Sequence, residues 1–99
     1  MSCHYRYTFS PEVDITDVEA TVTLAILATE SLHGESRVRL ETSHVFDADK
    51  RTCVIDASGE VGRDLNQLFL GFISREFGPE TFRVRRLEPV VEPTTPSAA

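Results

Sequence analysis

Hydrophobic and polar positions alternate from the start of the chain. In HYRYTFS, Tyr5, Tyr7 and Phe9 stand against His4, Arg6 and Thr8, the period-two pattern of a half-buried strand. SPEVD breaks that pattern. Thr16, followed three residues later by Glu19, then makes a capping box that opens a helix, closed before Gly34 by the left-handed conformation glycine favours. SRVRLETSHVF alternates again, DADK supplies turn residues and RTCVIDA returns, so the spacing predicts a hairpin of second and third strands. After SGE, Val61, Leu65, Leu68, Phe69, Phe72, Ile73 and Phe77 recur at three- and four-residue steps, the stripe of a second helix stopped by Gly78 and Pro79. TFRVRRL is a last strand with Phe82 and Val84 inward. The proline-rich EPVVEPTTPSAA cannot bury enough apolar surface to order itself.

Residues 1–88 therefore read as a single domain, and 89–99 as a disordered tail. The order strand, helix, strand, strand, helix, strand resembles the split βαβ arrangement of ferredoxin-like domains. That resemblance implies an α+β two-layer sandwich: a four-stranded antiparallel sheet in the order 4-1-3-2, with two helices on one face. Many unrelated functions share the scaffold, so function has to be argued from particular side chains.

With both helices on one side, the inward set is Tyr5, Tyr7, Phe9, Val38, Leu40, Cys53, Ile55, Phe82 and Val84. The opposite face then carries Arg6, Thr8, Arg37, Arg39, Glu41, Thr52, Asp56, Arg83 and Arg85, a basic surface on a chain of formal net charge −6. Arg6 is expected near Asp56 on one side and Arg83 or Arg85 on the other. Arg6, Arg37, Arg39, Arg83 and Arg85 are thus a candidate site for an anion, an acidic partner or nucleic acid. RNA-binding domains of this topology stack bases on aromatics of the central strands, whereas the outward positions here hold Arg6, Thr8, Thr52, Val54 and Asp56, which disfavours nucleic acid.

The stretch ATVTLAILAT, residues 20–29, has no charge. Wrapped at about 100° per residue, Val18, Val22, Ala25, Thr29 and Leu32 fall on one side with Ile26 beside them, enough to cover the sheet. Ala20, Leu24, Leu27 and Ser31 fall on the other, where a surface helix would carry Lys or Glu. Leu70 departs from the second helix's stripe and is expected to extend that patch. An apolar stripe facing water implies a covering partner, either a second copy or a larger protein.

Candidate chemistry changes this picture little. Cys3 and Cys53 should sit too far out of register for a disulfide, and Cys53, alternating with Ile55 toward the core, should be inert. His33 near a helix C-terminus is explained by the dipole, and a Cys3–His4 metal site has too few ligands. The phosphate loop of acylphosphatases, which share the topology, carries glycine and arginine; here SPEVDITD carries Glu12, Asp14 and Asp17, which repel phosphate. In DASGEVGR, Ser58, Gly59, Gly62 and Arg63 could offer amides to an anion, but Ser58 as a plain helix cap accounts for the stretch. The opening MSCHYRYTF is not leader-like, and no apolar run approaches the ~20 residues that span a bilayer. The expectation is a cytoplasmic, non-catalytic interaction or assembly module without metal or cofactor, associating through the outer face of its first helix and having no membrane contact. The alternative is an anion-binding or nucleic-acid-binding module using the arginine face.

Overall fold

The computed structural model describes residues 3–87, so the expected disordered tail at 89–99 lies outside the described residues. Its elements are β1 (His4–Phe9), α1 (Ile15–His33), α2 (Glu35–Glu41), β2 (His44–Asp47), β3 (Thr52–Asp56), α3 (Glu60–Phe77), a 3-10 turn (Pro79–Thr81) and β4 (Phe82–Leu87). All pairings are antiparallel, and the strands run in the order β2-β3-β1-β4, which counted from the β4 edge is 4-1-3-2.

There are three helices where two were expected. The stretch assigned to the first half of the second strand is α2, and β2 is only four residues long. The same residues that alternate as a strand also place opposite charges four apart. Arg37 Nε donates to Glu41 at 3.0 Å, and Arg39 pairs with Glu35 at 3.0 Å, which supports a helix. Only Val38 of this segment is buried. Leu40, expected inward, is 85% exposed. Gly34, at φ +91°, closes α1 by donating its amide to the Glu30 carbonyl, then serves as the N-cap of α2.

The N-cap of α1 is Asp14 rather than Thr16. Its Oδ1 accepts the Thr16 amide at 3.0 Å and the Thr16 hydroxyl at 2.6 Å, and these bonds hold its carboxyl below the usual range. Ser58 does not cap α3; Gly59 occupies that position, with no side-chain bond to the helix. The β1–α1 loop is held from across the sheet by Arg51, whose guanidinium donates to the carbonyls of Phe9, Ser10 and Val13.

The core lies between the sheet and the pair α1 and α3. Tyr7, Phe9, Cys53 and Ile55 face Val18, Val22, Ala25, Leu65, Phe69 and Ile73. Tyr7 and Phe69 meet edge to face at 4.9 Å between ring centroids, and the Tyr7 hydroxyl donates to Asn66 Oδ1 at 2.5 Å. Burial raises the pKa of that phenol, so it remains a donor. Val84, expected in the core, shares the helix-side face with Tyr7 but stands on an edge strand and is 41% exposed.

Candidate protein-docking surfaces

The stripe on α1 is exposed along its length. Ala20, Leu24, Leu27 and Ser31 all face away from the sheet, Leu24 at 53% and Leu27 at 55% exposure. Val18, Thr21, Val22, Ala25 and Thr29 are buried on the opposite side. Leu32, expected on the covered side, is 65% exposed, because the sheet that would underlie the last turn is shortened by α2. The polar atoms on this surface are internally satisfied: Ser31 Oγ donates to the Leu27 carbonyl and Thr23 Oγ1 to the Glu19 carbonyl. Covering them therefore leaves no orphaned donor. The charged residues of α1 are Asp17, Glu19 and Glu30, with His33 at its end and no Lys or Arg.

Leu70 is exposed but does not join this stripe. α3 runs antiparallel beside α1, with Asp64 bonded to His33 at 2.7 Å and Glu76 accepting the Thr21 hydroxyl at 2.9 Å. Leu70 lies six residues from each, about 120° around the helix, and one turn from Asn66, which bonds Tyr7. It is therefore on the flank of α3 turned toward β1 and β4.

The arginine face is smaller than expected. Arg37 and Arg39 belong to α2 and are neutralised there by Glu41 and Glu35, with Glu60 3.9 Å from Arg37. The bidentate pair holds the Glu41 carboxyl below its usual range. Arg6, Arg83 and Arg85 remain on the open face. Arg6 stands opposite Val54 and Arg85, not Asp56, which pairs in register with His4. Thr8 lies between Thr52 and Arg83. The open face is thus basic on the β1 and β4 side and acidic near Asp47 and Asp56.

One corner holds the residue types of a hydrolytic triad without its wiring. Asp56 lies between the other two: His4 Nε2 is 3.7 Å from Oδ2, while Oδ1 accepts both the Ser58 amide and the Ser58 hydroxyl. Partial burial opposes ionisation of Asp56, yet the Ser58 bonds outweigh it and keep the carboxyl below its usual range. The Ser58 oxygen also accepts the Cys3 amide at 3.0 Å, and its proton goes to the Asp56 carboxylate and not to His4, so the serine–histidine contact of a triad is missing. These contacts tie the start of β1 to the β3–α3 turn, a structural role invisible in the sequence until the register is known.

The other chemically suggestive residues are similarly accounted for. Gly62 is buried where α3 crosses the end of β3, and a Cβ there would collide with the Asp56 carbonyl oxygen; its smallness serves packing, not an anion cradle. Cys53 is fully buried with its thiol pushed up to about 12, and both cysteines are free. Among the described residues there is no group of three or more His, Cys, Asp or Glu side chains placed to hold a metal, and no helix is long and apolar enough to cross a membrane. A shallow depression of about 160 Å³ separates Cys3 and Tyr5 from Asn66 and Gln67. No family model, curated protein or solved structure matches the chain, so its surfaces alone carry the functional argument.

Proposed function

We propose that this chain is a ferredoxin-like, non-catalytic assembly module of the cytoplasm, self-associating through the outer face of α1. The observation that carries the reading is the spacing of the exposed stripe. Ala20, Leu24, Leu27 and Ser31 follow one another at intervals of four, three and four, so the stripe reads the same in both directions. An antiparallel pair of α1 helices about a two-fold axis between Leu24 and Leu27 would set Leu24 against Leu27 of the second copy and Ala20 against Ser31. That reciprocal arrangement is what an isologous interface requires. Small residues at both ends let the backbones approach. In the same register Glu19 lies at the level of Leu32, Glu30 at that of Thr21 and Asp17 at that of Gly34, so no two acids fall at one level.

The area is modest. One helical stripe falls short of the ~800 Å² per partner of a standard stable complex, so the association is reversible and concentration-dependent. Two free cysteines are consistent with a reducing compartment. Light scattering on the full chain over a concentration series tests the proposal. Mass should rise from that of the 11.1 kDa monomer toward twice that value, and replacing Leu24 and Leu27 by glutamate should abolish the rise with the circular dichroism unchanged. A wild type that stays monomeric throughout would reject self-association, and capture of a heterologous protein by the same stripe would replace it.

A further inference from the structure

Among the described residues β4 is an edge of the sheet, and the exposed run along it is Arg83, Val84, Arg85 and Arg86. The register with β1 sorts these residues by face: Arg83 and Arg85 lie on the open side, across from Thr8 and Arg6, and Val84 and Arg86 on the helix side, across from Tyr7 and Tyr5. Arg6 directly opposite Arg85 is a like-charge pair, which weakens a bare sheet. Among the described residues no carboxylate lies within 4 Å of Arg6, Arg83, Arg85 or Arg86. On the helix side Val84 is 41% and Leu70 37% exposed, and Leu70 sits on the flank of α3 turned toward this edge. Among the described residues this edge thus combines unpaired backbone groups, a positive open side and an apolar inner side.

We propose that β4 receives an extended acidic segment of a partner protein as a fifth strand. Alternate side chains of such a strand fall on opposite faces, so acids would meet Arg83 and Arg85 while apolar residues would cover Val84 and Leu70. A second copy of β4 fits poorly. Antiparallel self-pairing centred on Val84 sets Arg83 against Arg85 twice, and centred on Arg85 it sets Arg85 against itself, so like charges meet on the open face. The chain's own C-terminal sequence carries Pro89, Pro93 and Pro96, none of which can donate to a ladder. The exposed arginines discourage indiscriminate pairing of this edge while leaving it open to an acidic strand.

The probe is an eight-residue peptide alternating glutamate and valine, titrated into the full-length ¹⁵N-labelled chain. Binding should shift and protect the amides of Arg83–Arg86, weaken as salt is added, and fall about tenfold in the Arg83→Glu/Arg85→Glu variant, whose positions are exposed and whose fold circular dichroism would verify. The same peptide N-methylated at every amide should not bind, because strand addition needs the donors of whichever edge meets β4. Equal binding by the methylated peptide, or binding by inorganic polyphosphate with no peptide binding, would assign the arginines to a face site and overturn the proposal. So would an absence of binding at millimolar peptide, or an unchanged affinity in the charge-reversed variant. A Leu24→Glu/Leu27→Glu chain should bind the peptide as wild type does, which separates this result from the fate of the α1 reading.

Discussion

The antiparallel register of the α1 pair makes two similar double substitutions behave differently. Leu24 and Leu27 are each about half exposed in the single chain, at 53% and 55%, so pairing can bury only the remaining half of each side chain. At ~1.5–3 kcal/mol for a full leucine, that is about 1 kcal/mol each, or about 4 kcal/mol over the four leucines of a symmetric pair. A gain of that size corresponds to dissociation at about 1 mM even before the cost of association is set against it, so the dimer should show only toward millimolar protein. Replacing both leucines by glutamate removes the gain and brings four carboxylates together, so no dimer should remain at millimolar protein. Leu24→Lys with Leu27→Glu loses the same apolar area but sets each new ammonium opposite a new carboxylate across the two-fold axis. Exposed pairs of this kind contribute up to ~1 kcal/mol each, so this variant should retain weak, salt-sensitive association. Sedimentation velocity on the three proteins at low and high salt separates the cases. A parallel pair would give the two variants equal loss, and a partner of another kind would give no salt dependence. Val22→Lys, by contrast, places a charge at a position only 5% exposed and should unfold the chain. A folded Val22→Lys protein would mean that the two sides of α1 have been exchanged.

Gly62→Ala should destabilise by about 1–2 kcal/mol, because overpacking against the Asp56 carbonyl outweighs the ~1 kcal/mol helix-propensity gain of alanine; urea denaturation measures the sign directly. Arg51→Ala should cost about 2 kcal/mol by leaving carbonyls of Phe9, Ser10 and Val13 without their charged donor, and hydrogen exchange should quicken in the β1–α1 loop. Asp14 has a folded pKa below its unfolded value near 3.8, through the Thr16 hydroxyl and amide, so its stabilisation is complete above that pH and is lost as pH falls through the folded value. The Tm deficit of Asp14→Ala should accordingly be full at pH 6 and narrow below pH ~4, and a pH-independent deficit would show that the cap acts without its charge.

The legible parts of the sequence were those with a single consistent period. The stripe of α3 and, apart from Leu32, the buried side of α1 needed no tertiary information, and the uncovered side of α1 followed by subtraction. Glu35–Glu41 was ambiguous because Val38 and Leu40 alternate with arginines as in a strand, while Glu35, Arg37, Arg39 and Glu41 pair at i,i+4 as in a helix. Local pairing decided it, and Arg37 and Arg39 left the arginine face as a result. The N-cap was misplaced because Thr16 and Asp14 are both competent caps two residues apart. Leu70 and Val84 depended on something no periodicity contains, namely how far the helix layer extends over the sheet. Their exposure marks the β4 edge, which was therefore hidden from pattern alone.

β1 lies inside the sheet, yet its partners are distant in the chain: Thr8 pairs with Thr52, and His4 with Leu87. The β2–β3 hairpin can close locally, but the strand bearing Tyr7 and Phe9 has no neighbour until much later sequence is available. Closing those long loops costs entropy before any contact is gained, so folding should be slower than in a helical chain of this length. The aromatic cluster has the same dependence, since Phe9 lies 6.0 Å from Phe82 and 6.4 Å from Phe69, residues contributed by the final third of the chain. During synthesis the partly made chain must hold Tyr7 and Phe9 out of wrong pairings until β4 emerges, which makes the arginine-bearing strand the one whose arrival ends the exposure of β1.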